Sequence, residues 1–477
     1  MRMTSVLHCL SRLKLTTIAA FAFAAAASVS AQVTFLKVAD TATSIPGGSG
    51  AFTDFRPAVS GKDVGIFNGK GSSGQVGFYK FDGTTLTKLV DTGTAAPGGT
   101  GNFTNYSFFA YGVDTTNFSF HGTDAGGMAG LYLLSGATPT LIANTNTAAP
   151  VSGVKFSTFG QPAVHGGKVA FFGFGPGSYR GAFLDSSGTL TRLFDTNTVT
   201  FPGGAGTLAF SSQLAYENDT IAFHAWDSGL NQREGIFSFS NSVLSLLAVT
   251  NQTIPGFANT FSGFQGPPRL SGGTVVFQGH DTISTPAVRG IFAVPAGGGA
   301  ITTLVSTATA IPGGTNGLFT SFSGFAYENG VLIFTGSGTN FITSIYKLQG
   351  GVLELLVGKT ALLDGKTVSS FTLNTGSLNQ GLFTFQASFT DNSKGIFGGE
   401  ISLPQDAVLG INSYSPGTGL TLSFTGENNR AYRIQYSSTL LPASWTDLTN
   451  FNYTSPLTVP DASAAGPARR FYRAISP

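Results

Sequence analysis

Charge is scarce in this chain, and so are sulfur and tryptophan. Of its 477 residues only 10% are Asp, Glu, Lys or Arg, and it has one cysteine, three methionines and two tryptophans. So little charge beside 12% aromatic residues excludes a disordered acidic or basic chain. The single cysteine, Cys9, leaves no internal disulfide, so stability must come from burial. No segment holds a 3.6-residue apolar period, and the 65 glycines are spread throughout, which excludes a helical solenoid. Beyond the first 31 residues no run is apolar and long enough to span a membrane. There is no G-x-S-x-G elbow, no H-x-x-x-H pair and no cysteine nucleophile past Cys9.

What is present at the start reads as a targeting segment. Arg2, Arg12 and Lys14 precede the apolar run Leu15 to Ala27, and small residues from Val29 to Ala31 offer a cleavage site before Gln32. Residues 1–31 are therefore expected to be a signal peptide. The run is short for a transmembrane anchor, and Cys9 lies before it, which argues against a lipid anchor. Removing those three basic residues leaves 22 against 23 acidic ones, a net charge of −1. That balance offers no electrostatic case for nucleic acid or an anionic membrane. An exported, monomeric protein is expected, extracellular, at the cell surface or periplasmic, with no transmembrane segment after cleavage.

A period of 51 to 57 residues then dominates. The loop "DTATSIPGGSGAF" from Asp40 returns as "DTGTAAPGGTGNF" from Asp91, and related loops place prolines at 46, 97, 150, 202, 255 and 312. A phenylalanine ends a hydrophobic run at Phe67, Phe120, Phe171, Phe223, Phe277, Phe334 and Phe385. A "G-I-Y"-like triplet starts at Gly77, Gly130, Gly181, Gly235, Gly290, Ser344 and Gly395. Each period divides into four short strands, as in 156–164, 168–174, 181–185 and 189–195, which is the pattern of a β-propeller blade. A parallel β-helix is the rival, although its coils are usually shorter.

The fourth strand of the period has six copies, from Leu86, Pro139, Leu190, Leu244, Ile301 and Leu353. The seventh is missing after Leu403, and "VTFLKVAD" (Val33 to Asp40) fits its pattern. The expected fold is thus all-β: a seven-bladed β-propeller over 32–404, its N-terminal strand closing the last blade. The opening loop becomes the crossover between blades, with Asp or Thr capping the turn, proline presetting φ and glycines bending the chain. A calcium role for Asp40, Asp91 and Asp195 competes, but Asn144, Ser306 and Gly358 hold equivalent places.

The segments "GKVAF" (Gly167 to Phe171), "GTVVF" (Gly273 to Phe277) and "GVLIF" (Gly330 to Phe334) resemble the second half of the repeat in bacterial exported proteins with tandem N-x-x-G-x-x-A-F repeats; the leading asparagine is absent at that spacing. Over residues 33–400 the resemblance implies export and surface display with a variable C-terminal attachment device, and no chemistry. After Val408 the period stops, and alternating stretches around 420–424, 431–438, 444–449, 456–461 and 469–476 predict a small β-sandwich over 405–477. Its "YRIQYSSTL…SWTDL…RFYRA" is similar to C-terminal modules of secreted environmental-bacterial proteins, which implies a surface or sorting tag. An accessory domain that only packs on the propeller is the alternative.

Candidates for chemistry are few. The residue after the marker phenylalanine is Asn68, His121, Phe172, His224, Gln278, Thr335 and Gln386. Strand alternation turns these away from the phenylalanine. They either fill polar gaps between blades or form a patch that binds a sugar beside Trp226. Asp124, Asp227 and Asp281 follow three of these positions and could converge on one face as the carboxylates of a hydrolase or lyase. Arg56, Gln161 and Arg269 are candidates for a central channel. The expected function is a non-catalytic exported scaffold binding a glycan, surface polymer or surface protein. The alternative is an extracellular carbohydrate-active enzyme. No cofactor and no metal is expected.

Overall fold

A computed structural model of the chain describes residues 34–475, apart from 57–58, 62–63, 115, 152, 205, 230–232, 284, 286, 313–316, 340–341, 402–407, 416–418, 427–430, 439–444, 454–456 and 465–469. The expected signal peptide and the expected boundary near residue 404 lie outside the described residues. Those described are almost wholly β; the only helical pieces among them are single 3-10 turns at Pro176–Ser178 and Ala462–Ala464. Among the described residues no helix is long and apolar enough to cross a membrane.

Among the described residues seven antiparallel sheets of four to six strands follow one another along the chain. They span residues 52–91 (sheet 1), 103–144 (sheet 2), 158–195 (sheet 3), 208–249 (sheet 4), 263–306 (sheet 5), 321–357 (sheet 6) and 362–400 (sheet 7). In sheets 2, 4, 5 and 6 consecutive strands are neighbours, as in sheet 4: Leu208–Glu217, Thr220–Asp227, Glu234–Ser240 and Val243–Val249. Sheet 7 takes its outer strand from the other end of the chain. Leu36–Asp40 pairs antiparallel with Lys394–Glu400, with a bulge between Lys37 and Ala39. The outer strands of the other six sheets meet the strand beside them with a register shift at the same point, after the second residue of the glycine triplet, for example between Ile236 and Phe237. The N-terminal strand therefore reproduces an outer strand down to its irregularity.

Burial explains the succession. Seven buried apolar clusters each join two consecutive sheets, and one of them joins the last to the first: Val38, Ala39 and Ile396 pack with Phe52, Phe55, Phe67 and Tyr79. Each sheet is thus apolar on both faces and cannot stand alone. The arrangement is propeller-like.

Inside every sheet the marker phenylalanine faces the aromatic residue of the triplet across the strand pair. The pairs are Phe67 with Tyr79, Phe120 with Tyr132, Phe171 with Phe183, Phe223 with Phe237, Phe277 with Phe292, Phe334 with Tyr346 and Phe385 with Phe397. Their rings lie 5.5–5.9 Å apart at 17–30°. In six sheets a ring from the crossover strikes the second member edge-on, as Phe103 does on Tyr132 at 4.8 Å and 89°.

The crossovers are built alike. Asp40, Asp91, Asn144, Asp195 and Ser306 each accept the N–H two residues on, at 3.0–3.2 Å. Each also donates its own N–H to the hydroxyl of the threonine three residues on. This is turn capping, and it needs only an oxygen on a short side chain, which is why Asn and Ser serve as well as Asp.

The C-terminal strands form two three-stranded sheets, Val408–Ser415 with Gly419–Thr425 and Leu457–Asp461, and Thr446–Asn452 with Ala431–Ser437 and Phe471–Ile475. Leu422, Phe424, Tyr432, Ile434, Tyr453 and Val459 bring both into one buried cluster.

Deleting residues 32–40 removes the outer strand of sheet 7 and uncovers Ile396 and the edge of its strand. The truncated protein should melt well below the parent and aggregate on heating; equal melting curves by circular dichroism would show that the pairing contributes nothing.

Candidate functional site

The residue after each marker phenylalanine does not join a common patch. Alternation turns it toward the next sheet, so the seven positions fall in seven different inter-sheet seams. Asn68, Gln278, Thr335 and Gln386 are buried there, and Phe172 stacks on Phe210 at 4.3 Å. The ring of His121 lies against Phe159 at 6.1 Å, and burial pushes its pKa down, so it is neutral at pH 7. Asn68 Nδ2, His121 Nε2 and Gln278 Nε2 are buried without a hydrogen-bond partner among the described residues. These positions lie in separate seams, with one exception.

The exception is in sheet 4. His224 and Trp226 share one face of Thr220–Asp227, their rings 6.1 Å apart. Together with Arg180, Asn197, Asp227 and Glu234 they line a hollow of about 830 Å³ formed by residues of sheets 3 and 4 at the crossover end, where His224 and Glu234 also reach Phe264 of sheet 5. Glu234 begins the next strand, directly across from Trp226. Its Oε2 lies 3.3 Å from His224 Nε2 and accepts the Phe264 N–H at 3.0 Å. Burial works against the charge of Glu234, but those two hydrogen bonds and the nearby His224 and His280 outweigh it and hold the carboxyl below its usual range. Burial, with Arg289 adding to it, lowers the pKa of His280 despite Glu234 and Asp281. Arg180 donates to the Phe210 carbonyl at 2.9 Å and sits 5.9 Å from the Trp226 ring centre, covering part of that face.

Asp124, Asp227 and Asp281 do not share a cleft. They end the second strands of sheets 2, 4 and 5, and only Asp227 lines the hollow. All three are buried and turned to their own loops. Asp124 accepts the Thr100 N–H at 2.6 Å and the Met128 N–H at 2.7 Å. Asp227 accepts the Gly229 N–H at 2.9 Å, and Asp281 accepts the Ile283 N–H and the Asn259 amide, both at 2.9 Å. A Cβ on Gly99 would collide with the Asp124 carboxylate, and one on Gly204 or Gly206 with that of Asp227. The glycines of the P-G-G loop thus admit a carboxylate against bare backbone.

Glu234 is the residue the sequence reading missed. Its signal was available only as the strand partner of Trp226 in a hairpin register. Of the channel candidates, Gln161 and Arg269 do line a central cavity, whereas Arg56 lies off it, 3.9 Å from Asp54. Among the described residues no group of three or more His, Cys, Asp or Glu side chains could hold a metal ion. His224 and Glu234 can bind and orient hydroxyl groups, but no hydroxyl is hydrogen-bonded to His224 among the described residues, so a nucleophilic relay is not assembled there.

The fold defines an all-β protein of propeller-like architecture. The chain belongs to a family of unknown function, DUF7453, whose pattern matches residues 115–372. No curated protein matches it. Among solved structures it is similar to the β-propeller domain of the Trilobed protease from Pyrococcus furiosus, at 6% identity and a TM-score of 0.46, covering 74% of this chain and 94% of that one. The acylaminoacyl peptidase of Pyrococcus horikoshii shows 7% identity and a TM-score of 0.43, over 79% of this chain and 58% of that one. Sqt1 of Saccharomyces cerevisiae shows 11% identity and a TM-score of 0.34, over 76% and 100%.

Asp124→Ala would remove the acceptor of the part-buried Thr100 and Met128 N–H groups and should cost about 1 kcal/mol of stability. The hydrogen bonds from Thr100 and Met128 hold the Asp124 pKa below its ordinary value. Its contribution is therefore complete above the unfolded pKa of about 3.9 and fades as pH falls through the lower folded value. Denaturation curves of parent and variant should differ at pH 7 and converge in strong acid; a constant gap would exclude the carboxylate as the cause.

Proposed function

We propose that the protein is an exported, non-catalytic binding scaffold: a seven-bladed β-propeller over residues 32–404, followed by a β-sandwich module over 405–477, with residues 1–31 removed on export. The observation that carries the reading is the hollow at His224, Trp226 and Glu234. It combines hydrogen-bonding groups with an aromatic face, which is what a neutral glycan or surface polymer requires. The mature net charge of −1 supports a ligand of little charge. The protein acts as a monomer outside the cytoplasm, extracellular, at the cell surface or periplasmic. Its likeness to exported N-x-x-G-x-x-A-F repeat proteins gives the tail module the role of attachment or sorting.

The binding is weak and independent of divalent ions. On a glycan array, His224→Ala and Trp226→Ala should each weaken it at least tenfold, about 1.4 kcal/mol, with unchanged circular dichroism. An array without any signal would make the hollow merely structural. Asp227 and Glu234 both face the hollow, which leaves a specific form of the enzyme reading. If sugar products accumulate and Glu234→Gln stops them, a hydrolase replaces the scaffold.

The tail has its own buried cluster, from Leu420 to Val459. Residues 32–404 should accordingly stay folded without it, and calorimetry of the full chain should give two transitions. A single transition, with an insoluble truncated protein, would tie the two parts into one folding unit.

A further inference from the structure

The inner strands of all seven sheets enclose a cavity of about 480 Å³, with Val59, Gly112, Gln161, Gln213, Arg269 and Leu378 among its walls. At one end the sheets are tied by side chains that reach the turn of the next sheet. Asp114 accepts the Gly167 N–H at 3.0 Å. Glu217 accepts those of Gly272 and Gly273 at 3.2 and 3.3 Å. Glu328 accepts those of Gln380 and Gly381 at 2.7 and 3.2 Å. These three carboxylates line the cavity; Asp114 is filled by further bonds from Thr116 and Asn117, whereas Glu217 and Glu328 keep unused lone pairs, since a carboxylate offers about four acceptor sites.

Arg269 is the odd member. It is partly exposed, and it lines the cavity. Its Nε meets no acceptor among the described residues. Glu328 and Glu217 favour its charge through space, and no hydrogen bond from it to either is formed. A guanidinium with a buried, unmet donor is costly to maintain and is shaped to grip a carboxylate bidentately. A simple anion would nevertheless meet an excess of negative charge, for Glu217 and Glu328 both act on the one guanidinium and Asp114 also lines the cavity. A ligand carrying both signs satisfies both.

We propose that the central cavity binds a small zwitterion of the size of a free α-amino acid, its carboxylate on Arg269 and its ammonium group toward Glu217 and Glu328. The site is separate from the hollow at Trp226 and stands or falls independently of it.

The test is calorimetric titration and thermal shift of the exported chain with the free L-amino acids. The best binder is then compared with its deaminated acid, its decarboxylated amine and inorganic sulfate. At least one amino acid should bind and raise the Tm, and loss of either charged group should weaken binding tenfold or more. Arg269→Gln should abolish binding while leaving the sheet signal in circular dichroism. If that variant does not fold, the comparison of ligands on the parent protein decides alone. The proposal is overturned if no amino acid binds, if sulfate or the deaminated acid binds as tightly, or if a folded Arg269→Gln binds unchanged.

Discussion

The stacked aromatic pair between the second and third strands is the constraint from which the architecture follows. With an edge-on ring above it, each sheet carries three aromatic groups in contact, worth about 0.5–1.5 kcal/mol per pair beyond their burial. The geometry dictates its neighbours. The edge-on ring lies over the residue two beyond the marker phenylalanine, where a Cβ on Gly69 would come 2.6 Å from Phe52 and one on Gly336 2.7 Å from Phe319. Hence glycine at that position in sheets 1, 2, 3, 5 and 6. Sheet 4 has Ala225 there, and its edge-on ring arrives from Phe201, before the crossover proline, with Leu208 in the usual place. Sheet 7 has Ala387, and Phe35 from the N-terminal segment lies edge-on to Phe385.

Because the crossover supplies a ring to the sheet it leads into, the loop is part of the core. Its caps, its bridge from Ala95 to Asn102 and the carboxylate of Asp124 all serve to hold Phe103 in place. A chain without disulfides gains rigidity in this way from many small, identical locks. The seam between sheets 7 and 1 receives the same cluster as the others, so no sheet face is left uncovered.

Much of this was legible because period is a one-dimensional property. The marker phenylalanines, the glycine triplets and the spare outer strand at the N-terminus can be counted along the chain. Direction cannot. Alternation says that His121 and Phe120 point to opposite faces, but both faces of these sheets are buried in seams, so polarity did not mean exposure. The same limit hid Glu234, which is ten residues from His224 in sequence and meets it only through the hairpin register. It also hid the purpose of Asp124, Asp227 and Asp281. Their shared position looked like convergence on a cleft, whereas a repeated position in a repeated sheet serves the sheet itself.

That distinction points to where specific function resides in such a molecule. A residue held in every sheet is accounted for by the lock it forms; a residue held in one sheet is not. Trp226 takes the third place after the marker phenylalanine, where the other sheets have Lys70, Thr123, Phe174, His280, Ser337 and Ser388. Arg269 sits in the one inner strand with two consecutive prolines, which fall within a register shift between Gln265 and Arg269 of the kind that the inner strands of sheets 2 and 4 also show. Both sites therefore fall where repetition is interrupted. The interruptions are tolerated because the aromatic locks on either side remain complete, with Phe223 on Phe237 and Phe277 on Phe292. Sheets 4 and 5 can thus carry irregular, polar insertions at an edge or at the axis without surrendering the packing that defines them.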